Sequence, residues 1–284
     1  RICGEELPDL KVVRTKATEG LALPAADRSA VPFSPGPEHD ALLIYTSGTT
    51  GQPKGVIHSH ASLLAGGANT MAAHHLTPED RALCVLPLCH INGQVVTVMG
   101  PLLSGSSVVM PSRFRVSRFW DWVSVHHCTW FSAVPTIISY LLGAQETGAD
   151  PEKKVLAHVR FGRSASAALP PAVHTAFVER FGIPLVETMG ITETAAPILS
   201  NPLNPKVHRI GSPGKSCGNE VRISDGHSTI LESGSEGEIQ VRGHNVMKGY
   251  LKDPEKTREA FTRDGWYRTG DLGQMDQDGY VFVT

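Results

Sequence analysis

Long apolar runs are missing from this chain of 284 residues. None approaches the ~20 residues that a membrane-spanning helix needs, and the start, Arg1-Ile2-Cys3, is not a signal peptide, so no membrane span is expected. A surplus of positive charge is missing too. Lysine and arginine number 26 against 28 acidic residues, for a net charge of −2 and a pI near 6.7, and this balance leaves no basic footprint for nucleic acid. The 13 histidines are scattered without a metal-ligand rhythm such as H-E-x-x-H. Cysteine is sparse: Cys3, Cys84, Cys89, Cys128 and Cys217 are odd in number, widely spaced and without C-x-x-C. That pattern suits reduced thiols in a cytoplasmic protein better than a disulfide framework. Internal repeats and low-complexity tracts are absent.

What remains is a globular composition, 40% hydrophobic and 19% charged, long enough to bury a core and to hold two domains or subdomains. Residues 1–40, rich in proline, alanine and charge, read as a peripheral segment with one short strand and a loop. From residue 41 to 203 a rhythm sets in. Apolar strand-like runs (41–45, 82–87, 106–110, 129–134, 159–162, 184–188) alternate with helix-like segments (61–75, 93–103, 117–126, 135–145, 170–181). Such alternation predicts an α/β fold of βα units in a largely parallel sheet, with ligands at the carboxyl ends of its strands. After Asn201-Pro202-Leu203-Asn204-Pro205 the texture changes, and residues 204–284 read as a smaller β-rich subdomain with strands near 220–224, 228–231, 237–242 and 280–283. One helix interrupts it, Pro254 to Phe261, with Asp253 as N-cap. The chain lacks an initiator methionine and stops in a strand-like run, Tyr280 to Thr284, which suggests a fragment of a longer protein.

The chemically informative stretch is Tyr45-Thr46-Ser47-Gly48-Thr49-Thr50-Gly51-Gln52-Pro53-Lys54-Gly55. The apolar run from Ala41 to Tyr45 predicts a buried strand feeding a loop. In that loop glycine admits backbone N–H groups close to oxyanions, Ser47, Thr49 and Thr50 add hydroxyl donors, and Lys54 brings a mobile positive charge. This is a phosphate-handling composition without being a Walker A loop: Gly51 lies three residues before Lys54, and glycine follows the lysine.

Residue for residue, the stretch resembles the signature loop Y-T-S-G-T-T-G-x-P-K-G of the adenylate-forming enzymes, the superfamily of acyl- and aryl-CoA synthetases, peptide-synthetase adenylation domains and firefly luciferase. Four further stretches fit that resemblance in the same order. Pro87-Leu88-Cys89-His90-Ile91-Asn92-Gly93 is similar to P-x-F-H-x-x-G, with Cys89 replacing an aromatic. Arg163-Ser164-Ala165-Ser166-Ala167-Ala168-Leu169-Pro170 sits where S-G-A-A-P-L is common. Glu187 to Thr194, containing Met189-Gly190-Ile191-Thr192-Glu193, resembles Y-G-x-T-E, with Met189 in place of tyrosine. Gly265 to Gly273 resembles W-x-x-T-G-D.

The resemblance implies residue roles. Thr46, Ser47, Gly48, Thr49, Thr50, Gly51 and Lys54 would cradle the triphosphate of ATP. Ser164, Ala165, Ser166, Ala167, Ala168, Thr188, Met189 and Gly190 would lie along the adenine, with looser contact at Met189. Thr192 would touch the α-phosphate, Glu193 would hold Mg²⁺, Asp271 would take the ribose hydroxyls and His90 would line the carboxylate site. A single carboxylate suffices for Mg²⁺ when phosphates complete its shell. The stretch Gly237 to Gly243, continuing to Gly249-Tyr250, resembles a strand pair of structural importance.

The implied reaction is activation of a small carboxylic acid to an acyl-adenylate with release of pyrophosphate, then thioester formation with CoA. Two alternatives stay open: an adenylation domain that loads a carrier protein, and a nucleotide-binding regulatory homologue without catalysis. The family's hinge and mobile C-terminal domain are absent from the sequence, which implies a truncated adenylate-forming N-terminal domain of weak activity by itself. Arg163 has two readings, solvent exposure, which is favoured, or pairing with the second carboxylate of a small diacid. His58, His60, His74, His75, His126 and His127 are expected to be solvated or structural. Phe119, Trp120 and Trp122 are expected in the core, and Trp130 and Phe131 as walls of the acyl pocket. Oligomeric state is not legible.

Overall fold

The computed structural model describes residues 34–46, 53–144, 151, 156–226 and 229–284. Residues Ser47 to Gln52 of the loop, with the predicted sites Ser47, Gly48, Thr49, Thr50 and Gly51, and nearly all of the 1–40 segment lie outside the described residues. The elements below belong to one compact unit, Gly36–Thr284.

The predicted parallel sheet is present. Strands β3 (Arg81–Cys84), β4 (Ser107–Val109), β5 (Trp130–Ala133), β6 (Phe161–Ser164) and β7 (Leu185–Ile191) run parallel in the order β4-β3-β5-β6-β7. Two antiparallel strands, β8 (Ala196–Ser200) and β9 (Lys215–Ser216), extend it to seven. The helices are α1 (His60–Ala73), a π-helix Asn92–Met99 continuing into the α-helical turn Gly100–Leu103 (together α2), α3 (Val116–Val125), α4 (Pro135–Gly143) and α5 (Pro171–Phe181). Each has a legible local cause: Ser59 caps α1 by accepting from Ser62 N at 3.1 Å, Pro135 and Pro171 occupy first-turn positions where no N–H is needed, and Gly182, at φ 69°, ends α5 in the left-handed conformation.

Because successive strand residues face opposite sides, the sheet separates two cores. Leu83, Phe131 and Leu185 face Phe119, Trp120, Ile138 and Phe177 of α3–α5, while their neighbours Ala82, Trp130 and Val186 face Leu63, Val95 and Val96 of α1 and α2. Trp130 stacks on Phe161 at 5.4 Å. Burying each of these large side chains contributes roughly 1.5–3 kcal/mol. This alternation corrects one expectation: Trp130 and Phe131 are fully buried in the two cores and are not among the residues lining the large cavity, which at this level of the sheet is walled by Val134 and Ile137.

A second correction concerns the strand before the loop. Strand β1 (Asp40–Thr46) is mostly exposed, with only Ile44 buried. It forms no part of the parallel sheet but pairs antiparallel with β2 (Lys54–Ser59), which pairs in turn with β12 (Gly249–Tyr250). A three-stranded ribbon of this kind covers only one of its faces.

In the second half, β10 (Glu220–Ser224), β11 (Glu236–Arg242), β13 (Tyr267–Met275) and β14 (Val281–Val283) form a four-stranded antiparallel sheet over Ile198, Ile223, Ile239 and Val241. The expected 228–231 strand is reduced, among the described residues, to one bridge between Ser224 and Ile230. Helix α6 (Pro254–Glu259) begins on Asp253, whose side chain accepts from Lys256 N at 3.0 Å. The stretches around Gly237 and Gly249 are not partners: β11 pairs with β10 and β13, whereas β12 joins the ribbon. Sheets also cross the sequence position 203/204, since β9 completes the seven-stranded sheet and β12 the ribbon. No described helix is long and apolar enough to cross a membrane.

Candidate active site

At the carboxyl ends of β5, β6 and β7 two cavities adjoin, sharing Ser166, Gly190 and Ile191 in their walls. The larger, about 1060 Å³, is lined by Thr46, His90, Asn92, Arg163, Thr192 and Glu193 among others. The smaller, about 300 Å³, is lined by Ser164, Ser166, Ala167, Ala168, Thr188, Met189, Gly190 and Asp271. Residues from five separate sequence stretches therefore converge on the two cavities. Ala165 is buried and lines the larger cavity.

The β1–β2 hairpin delivers the phosphate-type loop. Thr46 and Lys54 are directly paired across the ribbon, so both roots of the loop are fixed at the larger cavity, which Thr46 lines. The Lys54 ammonium lies 5.0 Å from the centroid of the Tyr250 ring, a cation–π contact that leaves its hydrogens available to an anion. Through the Tyr250 hydroxyl the same ring reaches Glu193, donating to Oε1 at 3.1 Å. The strand resemblance assigned Tyr250 to structure, yet it links the lysine to the acidic group. Burial, with Glu193 beside it, pushes the Tyr250 phenol up to about 12, so it remains a donor.

Thr192 and Glu193 sit on a 3₁₀ turn, Thr192–Thr194, that leaves the end of β7. Three contacts fix this turn. Buried His58 donates from Nε2 to Thr192 O at 2.7 Å, which leaves Nδ1 to accept from the Ser62 hydroxyl at 3.0 Å. Met247 N donates to Glu193 O at 2.7 Å. Asn245 donates to Thr194 O at 2.7 Å. Burial holds His58 below its ordinary range, so the ring is neutral at pH 7. Sequence reasoning grouped His58 with structural histidines and could not see that it supports Thr192, because no local spacing links positions 134 residues apart. Ala195 and Ala196, at φ 48° and 90°, complete the turn in a conformation that side-chain-bearing residues adopt rarely. Helix α1 can press on it only because Gly66 has no Cβ: one built there would lie 2.1 Å from Ala195 O.

Around the smaller cavity, Thr188 donates to Ser164 O at 3.4 Å and Ser166 sits at φ 73°. The Ser164 hydroxyl is buried with no partner among the described residues. Half-buried Asp271 forms no ion pair among them, and burial raises its carboxyl above the ordinary range. His90 is exposed on the rim of the larger cavity.

The favoured reading of Arg163 is overturned. It is 2% exposed and lines the larger cavity. Its Nη1 donates to Asn92 Oδ1 at 2.9 Å and to Ser132 Oγ at 3.0 Å, and Asn92 Nδ2 donates in turn to Ser166 Oγ at 3.3 Å. The reason is its place on β6, a central strand covered on both faces. Burial lowers its pKa to about 10, so it stays charged at neutral pH.

Residues 4–251 match the family described as AMP-binding enzyme. The chain belongs to that family. As an AMP-binding enzyme it is 52% identical over 285 residues to a sulfoacetate–CoA ligase of Cupriavidus necator, a match covering 100% of this chain and 55% of the relative. It is 36% identical over 292 residues to an oxalate–CoA ligase of Arabidopsis thaliana, covering 98% and 56%. Among solved structures it is similar to ATP-bound MatB from Rhodopseudomonas palustris, with a TM-score of 0.78, 33% identity and coverage of 87% of this chain and 48% of the other. The chain thus spans about half the length of the curated relatives it matches.

This AMP-binding enzyme shows no cluster of three or more His, Cys, Asp or Glu side chains able to hold a metal among the described residues. Glu193 offers one carboxylate with Oε1 occupied by Tyr250, which fits Mg²⁺ provided that phosphate oxygens and water supply the rest of its shell.

Proposed function

We propose that the protein of which this chain is part is an AMP-forming acid–thiol ligase: it condenses a small carboxylic acid with ATP, releases pyrophosphate, and passes the acyl group to CoA. The observation that carries this reading is the pair of adjoining cavities, one lined by small and hydroxyl residues with Asp271, the other by Thr192, Glu193 and Arg163, with the lysine-ended loop rooted at the second. The CoA-ligase names of the relatives and the ATP in the similar solved structure support it.

In this reading the smaller cavity takes adenosine. The backbone of Ser164–Ala168 and Met189-Gly190 flanks the base, and Asp271 accepts from the ribose hydroxyls. Thr46 and the loop through Gly51, with Lys54, hold the triphosphate. Thr192 donates to the α-phosphate, and Glu193, oriented by Tyr250, holds Mg²⁺, which would neutralise phosphate charge. A substrate carboxylate oxygen, guided past His90, forms a bond to the α-phosphorus while the bond to the pyrophosphate oxygen breaks. The residues act by positioning and by charge neutralisation, since neither reactant needs a covalent bond to the protein.

Carboxylate-dependent ATP–pyrophosphate exchange by the full-length protein, followed by CoA-dependent thioester release, tests the reading. Exchange with thioester formation is expected. Exchange that only a carrier protein can discharge would move the protein to the carrier-loading branch, and absence of exchange with ATP binding intact would refute the ligase reading.

A further inference from the structure

A guanidinium has five N–H donors, and in Arg163 only Nη1 is engaged. Nε is buried without a partner, and Nη2 makes no hydrogen bond among the described residues. Nε is closed off from the cavity, whereas the unpartnered Nη2 is not, so Nη2 is the prong that an oxygen of a carboxylate or sulfonate can meet. Its direction is fixed, because Asn92 Oδ1 and Ser132 Oγ both grip Nη1.

The charge has no protein counterion among the described residues. The neighbouring titratable groups are His74, whose ring burial and Arg163 hold neutral by lowering its pKa to about 3, and Cys217, a thiol that desolvation pushes up to about 12. Neither supplies a negative charge at pH 7. A buried cation left uncompensated is strongly unfavourable, so the missing anion belongs to whatever fills the cavity. The nucleotide is a poor candidate, because the adenosine set lines the smaller cavity and the phosphates placed beside Thr46 and Thr192 at the larger one depart as pyrophosphate and then AMP, which would leave Arg163 unpaired in the thioester state.

Nor can the anion be the carboxylate that reacts. That group loses its charge on becoming an acyl-phosphate anhydride and stays neutral as a thioester, which would strand Arg163 unpaired in both products. A second anionic group, one that takes no part in the chemistry, keeps the guanidinium paired from free acid to thioester. We propose that the free Nη2 of Arg163, aimed by the grip of Asn92 and Ser132 on Nη1, is the recognition site for a second anionic group on a short carboxylic acid, so that the substrate is a dianion. This rests on the ligase reading above. Carboxylate and sulfonate share the required chemistry, in keeping with the oxalate and sulfoacetate named for two relatives.

The test is kcat/KM for pyrophosphate exchange by the full-length protein on three sets of short acids: dicarboxylates, sulfocarboxylates, and matched acids in which the second anion is a neutral amide or methyl group. The dianions are expected to exceed their neutral counterparts by about 100-fold, equivalent to about 2.7 kcal/mol at 1.36 kcal/mol per tenfold, and the two dianionic sets tell which anion fits better. Arg163→Met should collapse that ratio. Should it fail to fold, Asn92→Asp provides the second arm, since it places a carboxylate beside Nη1 as a built-in counterion and should lower the ratio at least tenfold. A purely structural arginine, satisfied by buried water, would alter all acids alike and leave the ratio near one. Exchange without dianion preference, or a preference unmoved by both substitutions, overturns the inference while leaving the ligase reading intact. Silence on every acid of the panel overturns both.

Discussion

Replacing Gly66 by alanine sets two energies of opposite sign against each other. Gly66 lies within helix α1, where exchanging glycine for alanine favours the helix by about 1 kcal/mol. The new Cβ, however, would lie 2.1 Å from Ala195 O and 3.0 Å from Ala195 Cβ. The first contact is 0.9 Å inside the 3.0 Å limit that real Cβ atoms respect, and the obstacle is backbone rather than the end of a flexible side chain. Ala195 is already at φ 48°, so it has little room to rotate, and overpacking of this kind costs about 1–3 kcal/mol, occasionally more. The net expectation is destabilisation by up to about 2 kcal/mol, with the Thr192–Thr194 turn pushed away from the cavity. Gly143→Ala is the control: it closes helix α4 with nothing within 4 Å of its built Cβ, and should stabilise by about 0.5–1 kcal/mol. Urea unfolding of both variants in the full-length protein reads the difference, with pyrophosphate exchange as the functional partner. If Gly66→Ala proves as stabilising as Gly143→Ala, with unchanged exchange, then helix α1 does not brace the turn and the account of its position is wrong.

Tyr250→Phe keeps the ring beneath Lys54 but removes the donor to Glu193. The Mg²⁺ dependence of exchange should move about tenfold towards higher concentration, whereas an unshifted magnesium titration would separate Glu193 from the metal. Asp271→Ala should weaken ATP binding by about 10- to 100-fold, the value of one or two hydrogen bonds to a charged acceptor, as measured by calorimetry; unaltered affinity would remove Asp271 from the ribose site. His74 is held neutral by burial, with a folded pKa lowered to about 3 against 6.5 in the unfolded chain. Its contribution to stability is therefore fully present above pH 6.5 and is lost as pH falls towards 3, with a slope of up to about 1.4 kcal/mol per pH unit. Neither ring nitrogen has a hydrogen-bond partner among the described residues, and the ring meets Trp130 and Phe161 edge-on, so His74→Phe should flatten the acid limb of the stability–pH profile. An equally steep limb in the variant would exonerate His74.

The parallel sheet was legible because its strands are short apolar runs separated by helix-length segments, a pattern that burial on both faces imposes. The resemblance grouped Ser164, Ser166 to Ala168 and Thr188 to Gly190 although 20 or more residues separate the two stretches, and the fold brings both to the wall of one cavity. What escaped was long-range. Strand β2 begins at a lysine within the signature stretch and reads as loop, β12 is only two residues long, and the ribbon they form with β1 has one solvated face, so Ala41 to Tyr45 was mistaken for a buried strand. Arg163 was misread because the expected strand ended at residue 162, which left the arginine in a loop where a charge normally meets water, whereas the observed strand runs to Ser164. Only the tertiary positions of Asn92 and Ser132, 71 and 31 residues away, show that it points inward. Tyr250 and His58 act through partners 57 and 134 residues distant, beyond any periodicity.

The ribbon that roots the phosphate-type loop also has a consequence for biosynthesis. Its middle strand takes one neighbour from just upstream and the other, Gly249-Tyr250, from far downstream, with Val56 paired to Tyr250. At roughly 5–20 residues per second, the ribosome needs on the order of 10–40 s to traverse the interval from Val56 to Tyr250, during which the hairpin has an unclaimed edge. A nascent chain in that interval has its parallel sheet available to fold but not the floor of its lysine-bearing loop. Binding of nucleotide to ribosome-held intermediates should therefore switch on only after residue 250 has cleared the exit tunnel, and reach full strength once Asp271 has followed.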